Sequence, residues 1–94
     1  MIFEWLDRLT RMSLKPTERA ILVDLHVYGD NKAENIANRT NNHRNTVSKY
    51  MRPLVESGYI NSKGGGVYAL TDKGRDTARG LIRAGDLPYS ESED

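Results

Sequence analysis

Five side chains able to donate hydrogen bonds recur along the segment 42–57 at a spacing typical of one helix face. They are Arg44, Asn45, Ser48, Lys49 and Arg52. Arginine and asparagine form paired hydrogen bonds to planar groups that carry acceptors, and lysine and serine bind acceptors or phosphate oxygens. The candidate chemistry of this segment is therefore recognition of a polar, anionic surface.

Apolar residues at the intervening positions predict that segment 42–57 is a helix with a buried side. The inner face would consist of Val47, Tyr50, Met51, Leu54 and Val55. Gly58 would end the helix as the residue that turns the chain in the left-handed conformation. Pro53 lacks an N–H group and clashes with the carbonyl of Lys49, which costs about 3 kcal/mol, so we expect a bend or a restart there.

The acidic residues are unevenly placed, and this hides a basic region behind the net charge of +1. Four of the 13 acidic residues lie in 86–94, which leaves nine against 14 basic residues elsewhere, a net charge of +5. Between Arg39 and Lys63 there are five basic residues and one acidic residue, and 40–55 contains no acid. Any small domain has some basic surface, but an exposed helix face normally mixes both signs. The missing acids therefore favour an anionic partner.

The 94-residue chain is long enough for one compact domain, which we place at 1–85, followed by a disordered acidic tail at 86–94. Its 37% hydrophobic and 29% charged residues are ordinary for a soluble globular protein. Cysteine is absent, which excludes disulfides, thiolate chemistry and the usual zinc sites. No apolar run approaches the roughly 18 residues of a membrane span, and the N-terminus lacks the order of a signal peptide. We expect a cytoplasmic protein with no membrane partner.

Two amphipathic helices are predicted before residue 30. The first, at 1–13, has apolar residues at helical spacing, namely Ile2, Trp5, Leu6, Leu9 and Met12. The second begins at Pro16, whose fixed φ suits the first helical position, and ends at Gly29. Its apolar residues are Ala20, Ile21, Leu22, Leu25 and Tyr28.

A short third helix is predicted after the turn at Gly29-Asp30. Asn31 followed three residues later by Glu34 has the form of a capping box. The inner positions of this helix would be Ala33, Ile36 and Ala37. It would end near Thr40, because Asn41 tolerates the left-handed conformation that a tight turn between two helices requires.

After Gly58 the pattern changes from helical to alternating. Strands are predicted at 59–61 and 67–70, and a hairpin loop at 62–66 joins them. Three consecutive glycines in that loop would weaken any regular element. They predict a mobile tip.

The last predicted helix occupies 71–84, with Thr71 as its N-cap. Its apolar positions are Ala78, Leu81 and Ile82. Gly74 and Gly80 lower its expected stability.

The apolar positions of this last helix and the apolar face of the first helix could pack on their own domain, or they could form a two-fold dimer interface. The sequence leaves both readings open.

The predicted elements include a tight turn between two helices and then a basic, glycine-rich hairpin. This order resembles that of winged helix-turn-helix transcriptional regulators. The residues that carry the resemblance are Ile36-Ala37, Asn41, Thr46-Val47-Ser48-Lys49, 54–60 leading into the hairpin and 68–74 leading out of it. From Pro16 to Ile82 the chain is similar to small archaeal regulators of this class, including the repressor type of haloarchaeal phages. Ala37 must be small where two helices cross, and Val47 must be apolar in the angle between them. Asn41 departs from the glycine common at this turn.

The resemblance implies a mainly α fold with a small β-hairpin, in which 31–58 forms the helix-turn-helix and 59–70 the wing. It implies a sequence-specific regulator of double-stranded DNA, expected to be a repressor, that inserts helix 42–57 in the major groove. The loop 62–66 would then lie on the DNA backbone or in the minor groove. The implied protein partner is a second copy of the chain, bound through the N-terminal helix, the C-terminal helix or both. No catalytic residue, cofactor or metal is implied.

Eight residues would contact DNA under this hypothesis: Arg44, Asn45, Ser48, Lys49, Arg52, Lys63, His43 and Thr46. Arg44 and Asn45, near the helix N-terminus, are the first candidates for base edges. Arg52 and Lys63 are candidates for the phosphate backbone. His43, which caps or precedes the helix, could donate to a phosphate or could be inert.

Other function classes are open to this sequence. A winged helix can serve as a protein-interaction module without DNA binding, but its mark would be an apolar or acidic face where this chain has a basic one. RNA binding would need aromatic stacking, for which Tyr59 and Tyr68 are the candidates. An enzyme is disfavoured, because no histidine stands at catalytic spacing from a carboxylate and the glycine run does not match a phosphate-binding loop. His26 is expected to be a partly buried residue and not a metal ligand.

Overall fold

The computed structural model of the protein describes residues 14–84. The predicted helix at 1–13 and the predicted tail at 86–94 lie outside these residues. The helices are α1 (Pro16–Tyr28), α2 (Ala33–Thr40), α3 (Arg44–Glu56) and α4 (Asp72–Arg83). The strands are β1 (Asn31–Lys32), β2 (Ile60–Ser62) and β3 (Val67–Leu70), in an antiparallel sheet of order β1-β3-β2. The predicted class, mainly helical with a small β element, is confirmed.

Helix α1 begins and ends where local chemistry requires. Pro16 occupies its first turn, and the carboxylate of Glu18 accepts the N–H of Lys15 at 2.9 Å. Gly29 ends the helix at φ +87°, a value that favours glycine, and donates its N–H to the carbonyl of Leu25. Both predicted ends of this helix are confirmed.

The capping box predicted at Asn31 is wrong. Asn31 pairs with Tyr68 and Lys32 pairs with Val67, so these two residues form a third strand and α2 begins only at Ala33. The side-chain oxygen of Asn31 accepts hydrogen bonds from the N–H of Lys32 and the amide of Asn35. Two residues are too few to show an alternating pattern, and the strand exists because β3 offers it an edge.

Two turns in the left-handed conformation fix the ends of α2 and α3. Asn41 has φ +58° and ψ +42°, which confirms the conformation predicted for it. After α3, Gly58 has φ +85° and donates its N–H to the carbonyl of Val55, while Tyr59 donates to Leu54. This pair of bonds satisfies carbonyls that the end of the helix would otherwise leave unpaired.

A single apolar cluster joins the helices. It includes Ile21, Leu22 and Leu25 of α1, Ile36 and Ala37 of α2, and Val47, Met51 and Leu54 of α3. Val55, predicted to face inward, is 37% exposed, and this expectation is wrong. Of the bend or restart expected at Pro53, the restart does not occur, because α3 continues through this exposed residue to Glu56.

A buried ion pair ties α1 to α2. The carboxylate of Asp24 is fully buried, and Arg39 reaches both of its oxygens, with Nε to Oδ2 at 2.8 Å and Nη2 to Oδ1 at 2.7 Å. The guanidinium also stacks over the ring of Tyr28, at 4.6 Å from the ring centroid. Such a two-point contact satisfies a charge that would be costly to leave unpaired in the core.

A close backbone contact joins α4 to the start of the sheet. The hydroxyl of Thr71 caps α4 by accepting the N–H of Gly74, as predicted, and its proton is shared between the carbonyls of Gly58 at 2.5 Å and Tyr59 at 3.1 Å. The N–H of Thr71 donates to the carbonyl of Tyr59 as well. A Cβ atom placed on Gly74 would lie 2.0 Å from that oxygen, so only glycine fits there.

Helix α4 packs against α1, and its residues Ala78 and Leu81 are fully buried while Ile82 is half-buried. Leu81 therefore packs within its own chain. Of the apolar stripe proposed for a dimer interface on this helix, only Ile82 retains exposed surface. The residues proposed on the N-terminal helix lie outside the described range.

We predict that Gly74→Ala destabilises the fold, although alanine is normally the better helix former by about 1 kcal/mol. The added methyl group must displace the Tyr59 backbone, and overpacking of this kind costs about 1–3 kcal/mol. Denaturant unfolding measures the change. Asp76→Ala, at an exposed position of the same helix, is the control and should alter stability by less than about 0.5 kcal/mol. A stabilised Gly74→Ala variant would contradict the close contact.

We predict that Arg39→Ala lowers the free energy of unfolding by about 3 kcal/mol, because it leaves the Asp24 carboxylate buried without its partner. Chemical denaturation followed by circular dichroism measures the loss. Arg79→Ala removes the same charge from an exposed position of α4 and should cost far less. Equal losses in the two variants would show that the pair does not stabilise the fold.

Candidate functional site

The polar face of α3 is open to solvent. Arg44, Asn45, Ser48, Lys49 and Arg52 are all exposed. On the opposite side of the same helix, Val47, Met51 and Leu54 are buried at spacings of four and three residues. These three side chains fix the rotation of α3 about its axis. The donor-rich side points outward for that reason.

Both ends of α3 are held by specific contacts. At its N-terminus the ring nitrogen Nδ1 of His43 accepts the N–H of Asn45 at 3.1 Å, so His43 is the N-cap. At its C-terminus the ammonium of Lys73, from α4, donates to the carbonyl of Ser57 at 2.7 Å. A cation is favourable at this end of a helix, where unpaired carbonyls concentrate negative charge. The helix therefore presents its polar face from a fixed position.

The turn before α3 is tied internally as well. The hydroxyl of Thr40 donates to the carbonyl of Ile36, and the amide of Asn42 donates to the Thr40 hydroxyl at 2.9 Å. Thr40 is buried, so these bonds satisfy polar atoms that water does not reach. They fix the path of the chain from α2 into α3.

The hairpin between β2 and β3 ends in a tip made of glycine. Gly64, Gly65 and Gly66 all have positive φ, and nothing lies within 4 Å of a Cβ atom built on any of them. Lys63, which precedes them, donates its backbone N–H to the carbonyl of Val67 at 2.8 Å. Its ammonium lies 3.4 Å from the carboxylate of Asp30. The predicted cation is thus at the hairpin tip, but it carries a counter-ion.

A cleft of about 220 Å³ lies between α3, the start of α2 and the hairpin. Its lining residues are Lys32, Ala33, Glu34, Arg44, Ser48, Gly66 and Tyr68. Two of the predicted site residues, Arg44 and Ser48, therefore meet the hairpin across this cleft. Lys32 was not among the predicted site residues, and Tyr68 was a candidate only for stacking on RNA, yet both line this cleft. The pairing of β1 with β3 brings both residues to the cleft, and no local pattern in the sequence shows that pairing.

The basic residues of the site differ in how strongly the protein itself neutralises them. Within residues 14–84, Arg44 has no carboxylate partner. Arg52 contacts Glu56 at 3.4 Å, but both side chains are largely exposed, so the pair is weak. The ammonium of Lys49 lies 5.8 Å from the ring centroid of Tyr50. Among the described residues, Arg44 and Lys49 are thus the cations of this face that have no carboxylate counter-ion.

Two of the eight predicted contact residues have less of their side chain available to a partner. Thr46 is half-buried on α3, so less of it can reach a partner. The imidazole of His43 is exposed but uses Nδ1 for the helix cap, which leaves Nε2 for an outside contact. Arg39, counted in the basic excess of the sequence, is engaged with Asp24 and contributes little charge to the surface.

Among residues 14–84, no three His, Asp or Glu side chains form a cluster that could hold a metal ion. His26 is half-buried on α1. Over the same part of the chain, no helix combines the length and apolar character needed to cross a membrane.

The site as a whole presents cations and hydrogen-bond donors on one exposed helix, beside a hairpin whose tip has no side chains. It can contact an extended anionic surface that has a groove wide enough for a helix. No protein-family model and no curated protein sequence matches this chain.

Proposed function

We propose that this protein is a winged helix-turn-helix transcriptional regulator that binds double-stranded DNA in a sequence-specific manner. Helix α3 is the recognition helix in the major groove. The β2–β3 hairpin is the wing, on the backbone or in the minor groove. The exposed, acid-free face of α3 between residues 44 and 52 is the observation that carries this proposal.

The dimensions of α3 support groove insertion. Its 13 residues give a length of about 20 Å, and the major groove, about 12 Å wide, admits one helix. Arg44 and Asn45 lie in its first turn, the part of a recognition helix that commonly reaches base edges. In the major groove, guanine presents two acceptors, which suit arginine. Adenine presents an acceptor and a donor, which suit asparagine.

The cleft beside α3 supports the arrangement of helix and wing. A DNA strand runs between neighbouring grooves, so a helix in one groove and a hairpin in the next must have that strand's phosphates between them. Lys32, Arg44, Ser48 and Tyr68 all offer donors to this cleft. Glu34 is its one acidic residue. The balance of charge favours a phosphate in the cleft.

Action as a repressor and assembly into a homodimer complete the proposal. A recognition helix of this size gives modest affinity alone, and two copies on a palindromic site bind far more tightly. Ile82 and the apolar residues of segment 1–13 are the proposed contacts between copies. A two-fold pair would place the two recognition helices about one helical turn of DNA apart.

The proposal is tested by selecting bound sequences from a pool of random duplexes. We expect enrichment of one motif, palindromic if the protein dimerises. Affinity for that motif should fall with salt, with a log-log slope of about −0.9 for each phosphate neutralised. A pool that stays random, together with salt-independent binding, would refute DNA recognition.

We predict that Arg44→Ala relaxes sequence preference, because a paired contact to one base is worth about 1–3 kcal/mol of discrimination. Affinity for the selected motif should fall about 10-fold or more while affinity for random duplex falls much less. Fluorescence anisotropy with both duplexes measures the two losses. Arg79→Ala, at an exposed position of α4, is the charge-matched control. Equal losses on both duplexes would remove Arg44 from base recognition and assign it to phosphate.

A further inference from the structure

The wing lysine is paired with a residue far away in sequence. The ammonium of Lys63 lies 3.4 Å from Oδ2 of Asp30, 33 positions earlier in the chain. The side chains of Lys63 and Asp30 are 58% and 48% exposed. The ion pair is therefore formed at the surface, where another anion can reach the same ammonium.

The backbone at both ends of this pair is fixed by the sheet. Asp30 directly precedes β1, which pairs with β3 through Asn31 and Lys32. Lys63 directly follows β2, and its N–H bonds to the carbonyl of Val67 on β3. The two side chains thus meet across the end of a three-stranded sheet. The Lys63 ammonium can therefore leave Asp30 for another anion by rotation of its side chain alone.

We propose that Asp30 is a built-in competitor for the wing lysine. Its carboxylate holds the Lys63 ammonium in the free protein, and a duplex phosphate must replace it when the wing engages DNA. Asp30 thereby lowers affinity for duplex of every sequence by a similar factor. This inference rests on the proposed DNA-binding function.

The geometry matches a contact that can be exchanged. A half-exposed pair at 3.4 Å gains little from Coulomb attraction in water and is screened by salt. It is strong enough to occupy the lysine in the absence of DNA and weak enough to yield to a phosphate. An interaction of this class corresponds to a change of about two- to fivefold in binding.

The test is a double-mutant cycle with Asp30→Asn, Lys63→Ala and the double variant, measured by anisotropy on random-sequence duplex. Asp30→Asn removes the competition and also removes repulsion between the carboxylate and DNA. The repulsion is present in the K63A background too, whereas the competition is not. We expect the affinity gain from D30N to be about two- to fivefold larger with Lys63 present than in the K63A background.

Glu34→Gln provides the matched control, since Glu34 is an acid that lines the cleft but does not contact Lys63. Its gain in affinity should be the same in both backgrounds. If the wild-type protein binds duplex and D30N gives equal gains with and without Lys63, the competition by Asp30 is overturned while DNA binding stands. If the wild type binds no duplex, both the proposed function and this inference fail.

A measurement without DNA examines the pair directly. In the free protein, side-chain ammonium relaxation by NMR should report a more mobile Lys63 in D30N than in the wild type. The ammonium of Lys49, which does not contact Asp30, should be unchanged. Equal mobility of Lys63 in the two proteins would overturn the proposal.

Discussion

The fold depends on neutralising one buried charge. The carboxylate of Asp24 is fully buried in α1, and the guanidinium of Arg39 satisfies both of its oxygens. Because the pair links α1 to the last turn of α2, it also fixes where the turn at Asn41 begins. The direction of α3 follows from that turn. This ion pair therefore helps to set the position of the polar face of α3.

A second constraint acts at the other end of α3. The carbonyl groups of Ser57 and Tyr59 receive donors from Lys73 and Thr71, at the start of α4. The missing side chain of Gly74 lets the two backbones approach. Helix α3 is therefore held at its first turn by α2 and at its last turn by α4. A helix fixed at both ends can present side chains to a rigid groove without losing much conformational freedom on binding.

Local chemistry made much of this structure predictable from sequence. Pro16, Gly29, Asn41, Gly58 and Thr71 mark element boundaries because each has a conformational or capping preference that acts within a few residues. The exposure of the five donors on α3 was predictable for a similar reason, since the helical period puts them opposite the apolar residues. Their role in binding stays a prediction.

The features that the sequence did not predict depend on contacts between distant residues. Strand β1 has two residues and exists only through pairing with β3, so the local signal at Asn31 was misread as a helix cap. The inward position expected for Val55 was wrong, because buried positions at the end of α3 are set by neighbouring elements. The Asp30 counter-ion and the cleft beside Tyr68 arise in the same way. Charge counting alone could not show that Arg39 is engaged in the core.

The hairpin tip has a stereochemical consequence. Three successive residues with positive φ follow the mirror image of the backbone that L-amino acids prefer, and the space around their missing Cβ atoms is open. D-amino acids prefer the positive φ values that L-amino acids avoid. A chemically synthesised chain with D-residues at 64–66 would keep the loop conformation while removing much of the freedom that glycine gives to the unfolded state. Handedness, and not side-chain size, is what this loop selects.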